Sequence, residues 1–315
     1  MKSALSGLRG NALQKEALQR ALQKGELPHA ILLTAPDGCG RNYAARCLAA
    51  DYLFPQGGPA AVAVHRGQSP EVLLIEGEGL SGQIKIDRVR QVRGDLFHTG
   101  LSSAGRVVLI RDAESMMAPA ANALLKVLEE PPGEVLFILT ARDAAALPAT
   151  IRSRCALYPL LPVPNEECAQ VLQDALAEGQ SPELPGFLAA VYGGRIGLGL
   201  RAIQSPERLQ VLRDAATAAK ASAQNDRYEL MRIFSGYEGR GEEERNRRSF
   251  LLGDLFDVLA AALRQEPGFG EKQGYPGKAP VCRFLPLVQE AAQALTRNAS
   301  PKLTLTTLAV KLTNR

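Results

Sequence analysis

The chain predicts an α/β domain built on a doubly wound parallel sheet, followed by two all-helical modules, and three observations carry that prediction. Apolar runs at Ala30–Thr34, Val72–Ile75, Val107–Arg111 and Val135–Thr140 are β-branched or leucine-rich and nearly unbroken, as in strands covered on both faces, and Cys155–Leu160 is a fifth candidate. Helical stretches alternate with them. Beyond Pro159-Leu160-Leu161-Pro162-Val163-Pro164, strand patterns nearly vanish.

Taken in order, Ala12–Gln23 reads as the first helix and leads into the strand Ala30–Thr34. Asn42–Phe54 is an Ala/Leu-rich helix with Ala44, Ala45, Leu48 and Ala49 at helical spacing. Asp87–Phe97 carries Val89, Val92 and Leu96, with Ile86, on one side, and Asp87 is placed to cap it. Ala118–Glu130 completes the alternation. The prolines at 159, 162 and 164 cannot continue a helix or a central strand, so a boundary belongs there. The expected organisation is 1–160 as the α/β domain, 161–204 as a small helical module and 205–315 as a larger one. Gly179–Pro185 and Gly193-Gly194 break the former; Gly236–Arg240 and Pro267–Pro280 break the latter.

A length of 315 residues, 46% hydrophobic and 22% charged, suits a soluble multidomain protein. No uncharged apolar run approaches a membrane span and no signal-peptide core opens the chain, so the cytoplasm is the expected location and no membrane partner is expected. The net charge of +4 permits nucleic-acid contact without demanding it. Cys39, Cys47, Cys155, Cys168 and Cys282 form no C-x-x-C pair, and the histidines are His29, His65 and His98, so reduced, mostly buried thiols are expected and no metal site.

Residues 35–42 read Ala35-Pro36-Asp37-Gly38-Cys39-Gly40-Arg41-Asn42, between an apolar strand and a helix. Spacing and context are those of the phosphate loop G-x-x-x-x-G-K-[ST], whose backbone cradles phosphates. Yet the first Gly is Ala35, the phosphate-gripping Lys is Arg41, and the hydroxyl that holds Mg²⁺ is Asn42. A planar guanidinium is no substitute for a compact ammonium in a tight loop, and an amide is a poorer magnesium ligand than a hydroxyl. The strand Val107–Arg111 ends in Asp112-Ala113-Glu114, where a hydrolytic site has Asp for Mg²⁺ and Glu next to it for water. Glu114 is one residue late, which on an extended chain turns it to the opposite face. Asp112 either keeps a metal-side role or merely caps the following turn.

Downstream come Asn122-Ala123-Leu124-Leu125-Lys126-Val127-Leu128-Glu129-Glu130-Pro131-Pro132 and Ile151-Arg152-Ser153-Arg154-Cys155, with Pro28-His29-Ala30 ahead of the first strand. In these strings and their order the chain closely resembles the clamp-loader branch of the AAA+ ATPases, strongly over about residues 8–160, moderately to about 203, and weakly beyond. The resemblance implies an AAA+ P-loop-type parallel sheet domain, then a small helical lid and an all-α carboxy-terminal collar. It implies that Ser153-Arg154-Cys155 presents Arg154 to ATP bound by a neighbouring subunit; the alternative is that Arg154 pairs with a local carboxylate, and Arg152 is a weaker competitor for the role. Gly38, Gly40, Arg41, Asn42, Asp112 and Thr140, the last at the sensor-1 position, would form a degenerate nucleotide site; a Thr there is also simply a good strand residue. Gly197, within Gly194-Arg195-Ile196-Gly197, stands about where active relatives have the sensor-2 arginine, and Arg195 is two residues off. ATP would be bound by neighbouring subunits, with no cofactor of this chain's own. Implied partners are the gamma/tau ATPase subunits, the delta subunit, the sliding clamp and primed DNA, in a hetero-oligomer that loads the clamp during replication.

One departure is plain. Many relatives carry a four-cysteine zinc module just after the first helix, whereas Phe54–Pro70 contains no cysteine and reads Gly57-Gly58-Pro59-Ala60-Ala61. Lys85, Arg88, Arg90 and Arg93 either face DNA or form a solvated helix face, and Glu243 with Arg247 reads as an i,i+4 pair in an exposed helix. Two rival readings stand beside a non-hydrolysing assembly subunit: a working ATPase using Arg41 on phosphate and Asp112 on Mg²⁺, and a stand-alone DNA-binding protein.

Overall fold

Parallel pairing fixes which residues meet at each end of the sheet. The computed structural model describes residues 3–79, 82–98, 105–131 and 133–314, without the side chains of Phe97 and His98; Pro132 of the Glu-Glu-Pro-Pro run therefore lies outside the described residues. Within the first compact unit, which ends at Val163, the order is α1 (Ala12–Lys24), β1 (Ala30–Thr34), α2 (Arg41–Leu53), α3 (Pro59–Arg66), β2 (Val72–Ile75), α4 (Ile86–His98), β3 (Arg106–Ile110), α5 (Ala118–Glu129), β4 (Val135–Ala141), α6 (Ala149–Arg152) and β5 (Ala156–Pro159). The strands are arranged β2-β3-β4-β1-β5, every neighbouring pair parallel. The predicted strands are all present, displaced by at most a residue at either end.

Alternation along each strand builds two cores. Leu32, Val108, Ile110, Phe137 and Leu139 point to one face and pack with Val89, Val92 and Leu96 of α4 and Leu124 and Leu128 of α5. Ile31, Leu33, Val107, Leu109, Leu136 and Ile138 point to the other and pack with Leu18 of α1 and Ala45 and Leu48 of α2. This double burial is why the runs look continuously apolar in sequence. Helix α3 was not expected; Pro59 at its first turn and Gly67 at its end mark it, inside the segment read only for its missing cysteines. Asp87 does not cap α4: the helix begins at Ile86, so Asp87 sits inside the first turn, where its charge favours the helix dipole.

The second unit, Pro164–Arg315, is all-helical in its described residues: α7 (Asn165–Asp174), α8 (Leu184–Tyr192), α9 (Ile196–Gln204), α10 (Pro206–Gln224), α11 (Arg227–Ser235), α12 (Glu242–Arg264), α13 (Lys278–Thr296) and α14 (Pro301–Thr313). Ser205 begins α10 by accepting a hydrogen bond from the Arg208 amide, and Asp226 does the same for α11 through Glu229. A polar cluster ties the helices before residue 204 to α12. Asp254, 1% exposed, accepts from Tyr192 Oη at 3.1 Å and from both terminal nitrogens of Arg208, and Arg195 Nη2 reaches Asp257 at 2.5 Å. Arg247 pairs with Glu244 at 2.6 Å rather than with Glu243, because its guanidinium stacks over the Tyr237 ring at 5.1 Å and is held on that side of α12.

Burial outweighs the Arg195 ion pair at Asp257 and pushes that carboxyl up to about 6 from its ordinary 3.8. Because the folded state holds this proton more tightly than the unfolded chain, the group's contribution to stability is full below about pH 4 and lost as pH rises through about 6. Urea titrations at pH 4 and pH 7 are expected to show this fall, on the order of 2 kcal/mol, in the wild type and a smaller one in Asp257→Asn, where the buried Asp254, also raised by burial, remains.

Candidate functional site

The loop after β1 has the predicted strand–loop–helix shape. Ala35 N continues the β-pairing to Ala141 O at 3.1 Å, and the chain then turns through Gly38 and Gly40, whose φ values of 87° and 83° favour glycine. Gly40 is the N-cap of α2, with Arg41 its first residue.

What fills this loop is the chain's own arginine. The Arg41 side chain is only 7% exposed; Nη1 donates to the Ala35 carbonyl at 3.0 Å and lies 2.9 Å from Asp37 Oδ1, while Nη2 donates to Asp112 Oδ1 at 2.6 Å. Burial pulls the guanidinium pKa down, but the hydrogen bonds and charges of Asp112 and Asp37 more than offset it and raise it above its usual range. The predicted residues are thus brought together, but as partners of one another. Thr140 Oγ1, fully buried, donates to Asn42 Oδ1 at 2.9 Å and accepts from the Asp112 amide at 3.1 Å. One oxygen of the Asp112 carboxylate, the Asn42 amide oxygen and the Thr140 hydroxyl are thus engaged by the protein's own groups. Asp112 begins the following 3-10 turn, yet its carboxylate is spent on Arg41 and not on a cap.

Three members of the network were not anticipated. Asp37 bridges Arg41 and Arg142, the latter at 3.2 Å, and Glu114 Oε1 accepts from the Arg142 amide at 3.1 Å. The expectation that Glu114 faces away is corrected: β3 stops at Ile110, and Ala113–Ser115 is a 3-10 turn, so extended-chain alternation does not apply and Glu114 returns to the site's rim. The sequence signal was available, since Asp37 lies within the loop and Arg142 two residues past Thr140.

Arg154 lies at the other end of the sheet. Ala156, two residues later, is level with Ile31, whereas the phosphate-type loop begins at Ala35 on the same strand direction. At strand rise that is a separation of roughly 13 Å or more, so Arg154 has no access to its own chain's loop. Arg154 Nη1 donates to the Thr150 carbonyl at 3.0 Å and its Nη2 pairs with Glu129; the side chain is 35% exposed. Glu129 sits at the end of α5, where a carboxylate is unfavourable to the helix dipole and a cation beside it is favourable. Ser153 Oγ donates to Thr150 O at 3.1 Å, Cys155 packs partly buried against the core, and burial pushes its thiol up to about 11. Arg152 is exposed, with no ion pair among the described residues.

Arg195 donates to the Tyr192 carbonyl and pairs with Asp257 within the second unit, leaving Gly197 without a basic substitute. On α4, Arg88 donates to Leu74 O at 2.7 Å, while Arg90 and Arg93, and Lys85 just before the helix, are exposed, as on a solvated face. Cys39, Cys47 and Cys168 are buried, Cys282 is exposed, and among the described residues no cluster of metal-ligating side chains forms. No described helix is long and apolar enough to cross a membrane.

The chain is similar to known proteins in sequence and in fold. Residues 10–164 match the family model described as DNA polymerase III, delta subunit. The chain is 33% identical over 196 residues to the DNA polymerase III subunit delta' of Escherichia coli, covering 57% of this chain and 59% of that protein. It is 30% identical over 197 residues to the Bacillus subtilis subunit delta', covering 59% and 58% respectively. The match therefore spans less than two thirds of either relative. A crystal structure of a DNA polymerase III gamma subunit-related protein from Thermotoga maritima superposes with a TM-score of 0.53 at 19% identity, covering 95% of this chain and 98% of that one, which establishes the shared fold.

Removing the Arg41 side chain leaves Asp112 without its cation and Asp37 with the exposed Arg142. Arg41→Ala is expected to lower stability by about 1–3 kcal/mol in urea titration, more than Asp112→Asn, which keeps the Asp37 and Ala35 contacts.

Proposed function

We propose that the chain is a member of the clamp-loader branch of the AAA+ proteins, alongside the DNA polymerase III delta' subunits it is similar to, and that it acts as a non-hydrolysing ring subunit. It lends Arg154 to the ATP of an adjacent ATPase subunit and so helps load a sliding clamp onto primed DNA during replication. One observation carries this reading: the cation expected to work on phosphate in its own loop is consumed by Asp37 and Asp112, while Arg154 stands at the opposite end of the sheet, half-exposed.

The chemistry follows from the surroundings of each group. Phosphoryl transfer spreads negative charge over the γ-phosphate oxygens, and an arginine supplied from a second subunit stabilises it by about 10³–10⁵-fold in rate. The Arg154–Glu129 pair is partly solvated, and such a pair is worth about 0–1 kcal/mol, so exchanging Glu129 for phosphate costs little. Ser153 and the Thr150 carbonyl orient the guanidinium, and Cys155 anchors the turn in the core. Beside it, edge strand β5 exposes Leu157 at 50%, an apolar contact suited to a neighbouring subunit. In this reading residues 161–204 serve as the lid and 205–315 as the collar of a hetero-oligomeric ring with gamma/tau and delta subunits.

Reconstitution with the cognate ATPase subunits tests it. Arg154→Ala is expected to cut single-turnover ATP hydrolysis at the adjacent site by about 10³-fold and abolish clamp loading, with Glu129→Gln near wild type. The purified chain alone is expected to release no phosphate from Mg-ATP; brisk turnover there would support the active-ATPase reading instead.

A further inference from the structure

We propose that the second unit carries a phosphate-binding pocket, formed by the loop before α12, the first turns of α12, the end of α13 and the start of α14. It encloses about 380 Å³ and is lined by Arg240, Arg245 and Arg248 with no carboxylate among its lining residues. Of the nearby glutamates, Glu244 pairs with Arg247 through Oε1 and has Oε2 buried beside Gly239, and none of Glu242, Glu243 and Glu244 lines the cavity.

Arg248 is the informative member. It is 7% exposed, and its Nη1 donates to the carbonyls of Tyr237 at 3.1 Å and Gly239 at 2.5 Å. No carboxylate pairs with it among the described residues. Two partly buried arginines of this unit have counter-ions, Arg208 on Asp254 and Arg195 on Asp257. A guanidinium buried with only carbonyl acceptors in hydrogen-bond reach keeps most of its desolvation cost, which an anion in the cavity would offset. The two carbonyl bonds also pin the loop that places Arg240 at the rim. Arg240 and Arg245 are exposed, with no ion pair among the described residues.

Two further features select the ligand. Pro301 of the lining opens α14, and Ser300 makes no side-chain capping bond, so the positive end of that helix adds to the same field. No aromatic residue lines the cavity, which removes any platform for stacking a base. The pocket therefore recognises phosphate rather than nucleobase, as Arg forks do. It is independent of the loop at residues 35–42, which lies in the other unit.

Calorimetric titration of the full chain with sodium pyrophosphate at constant ionic strength tests this, with an oligothymidylate as a second arm. Saturable binding is expected, weakened about tenfold or more in the Arg240→Gln/Arg245→Gln double variant, whose exposed positions leave the melting temperature unchanged. Arg248→Gln is expected to lose both binding and some stability. If the oligonucleotide competes with pyrophosphate and both are lost in the double variant, the source is a phosphodiester backbone; if only pyrophosphate binds, it is a free phosphate. No saturable pyrophosphate or oligonucleotide binding up to about 10 mM, or binding unchanged in the double variant, overturns the proposal.

Discussion

The parallel sheet imposes the constraint on which everything else rests. In such a sheet every strand delivers its following loop to one end and receives its preceding segment at the other. The loop after β1, the Asp112 turn after β3 and Thr140 and Arg142 at the end of β4 must therefore meet at one end, while His29, Glu129 and Arg154 gather at the other. Two sites of opposite character follow from one topology. One is sealed by internal ion pairs, and the other presents a cation to the outside.

The sealed end is an electrostatic solution to a sequence that retains the loop without its lysine. A guanidinium has a fork of donors, and Arg41 uses them on a carbonyl and two carboxylates of its own molecule. The arrangement keeps the strand–loop–helix geometry that holds α2 against the sheet, where Ala45, Cys47 and Leu48 are fully buried. At the exposed end the Arg154–Glu129 pair has the opposite balance, solvated and readily exchanged.

The second unit obeys a different rule. Its helices are joined through buried charge, with Asp254 receiving Arg208 and Tyr192 while Asp257 receives Arg195. This explains why the residues before 204, set apart in sequence by glycine and proline breaks, belong to one compact unit with α10 and α12. Arg248 breaks the pattern of paired buried arginines, and in doing so marks a second cationic site far along the sequence from the first.

The strands, four of the helices that flank them and the strand–loop–helix shape at 35–42 were readable from the chain alone, because periodicity and spacing are local properties, whereas α3 and α6 were not. The cap of α4 and the partner of Arg247 were misread, since one depends on where a helix begins by a single residue and the other on a ring lying over the side chain. That Arg41 closes on Asp112, 71 residues away, and that Glu114 swings back to the rim, are decided by strand order and by the early end of β3. Spacing says which groups exist. Only the packed sheet sets which charge reaches which partner, because Coulomb attraction and desolvation act over distances that sequence separation does not encode.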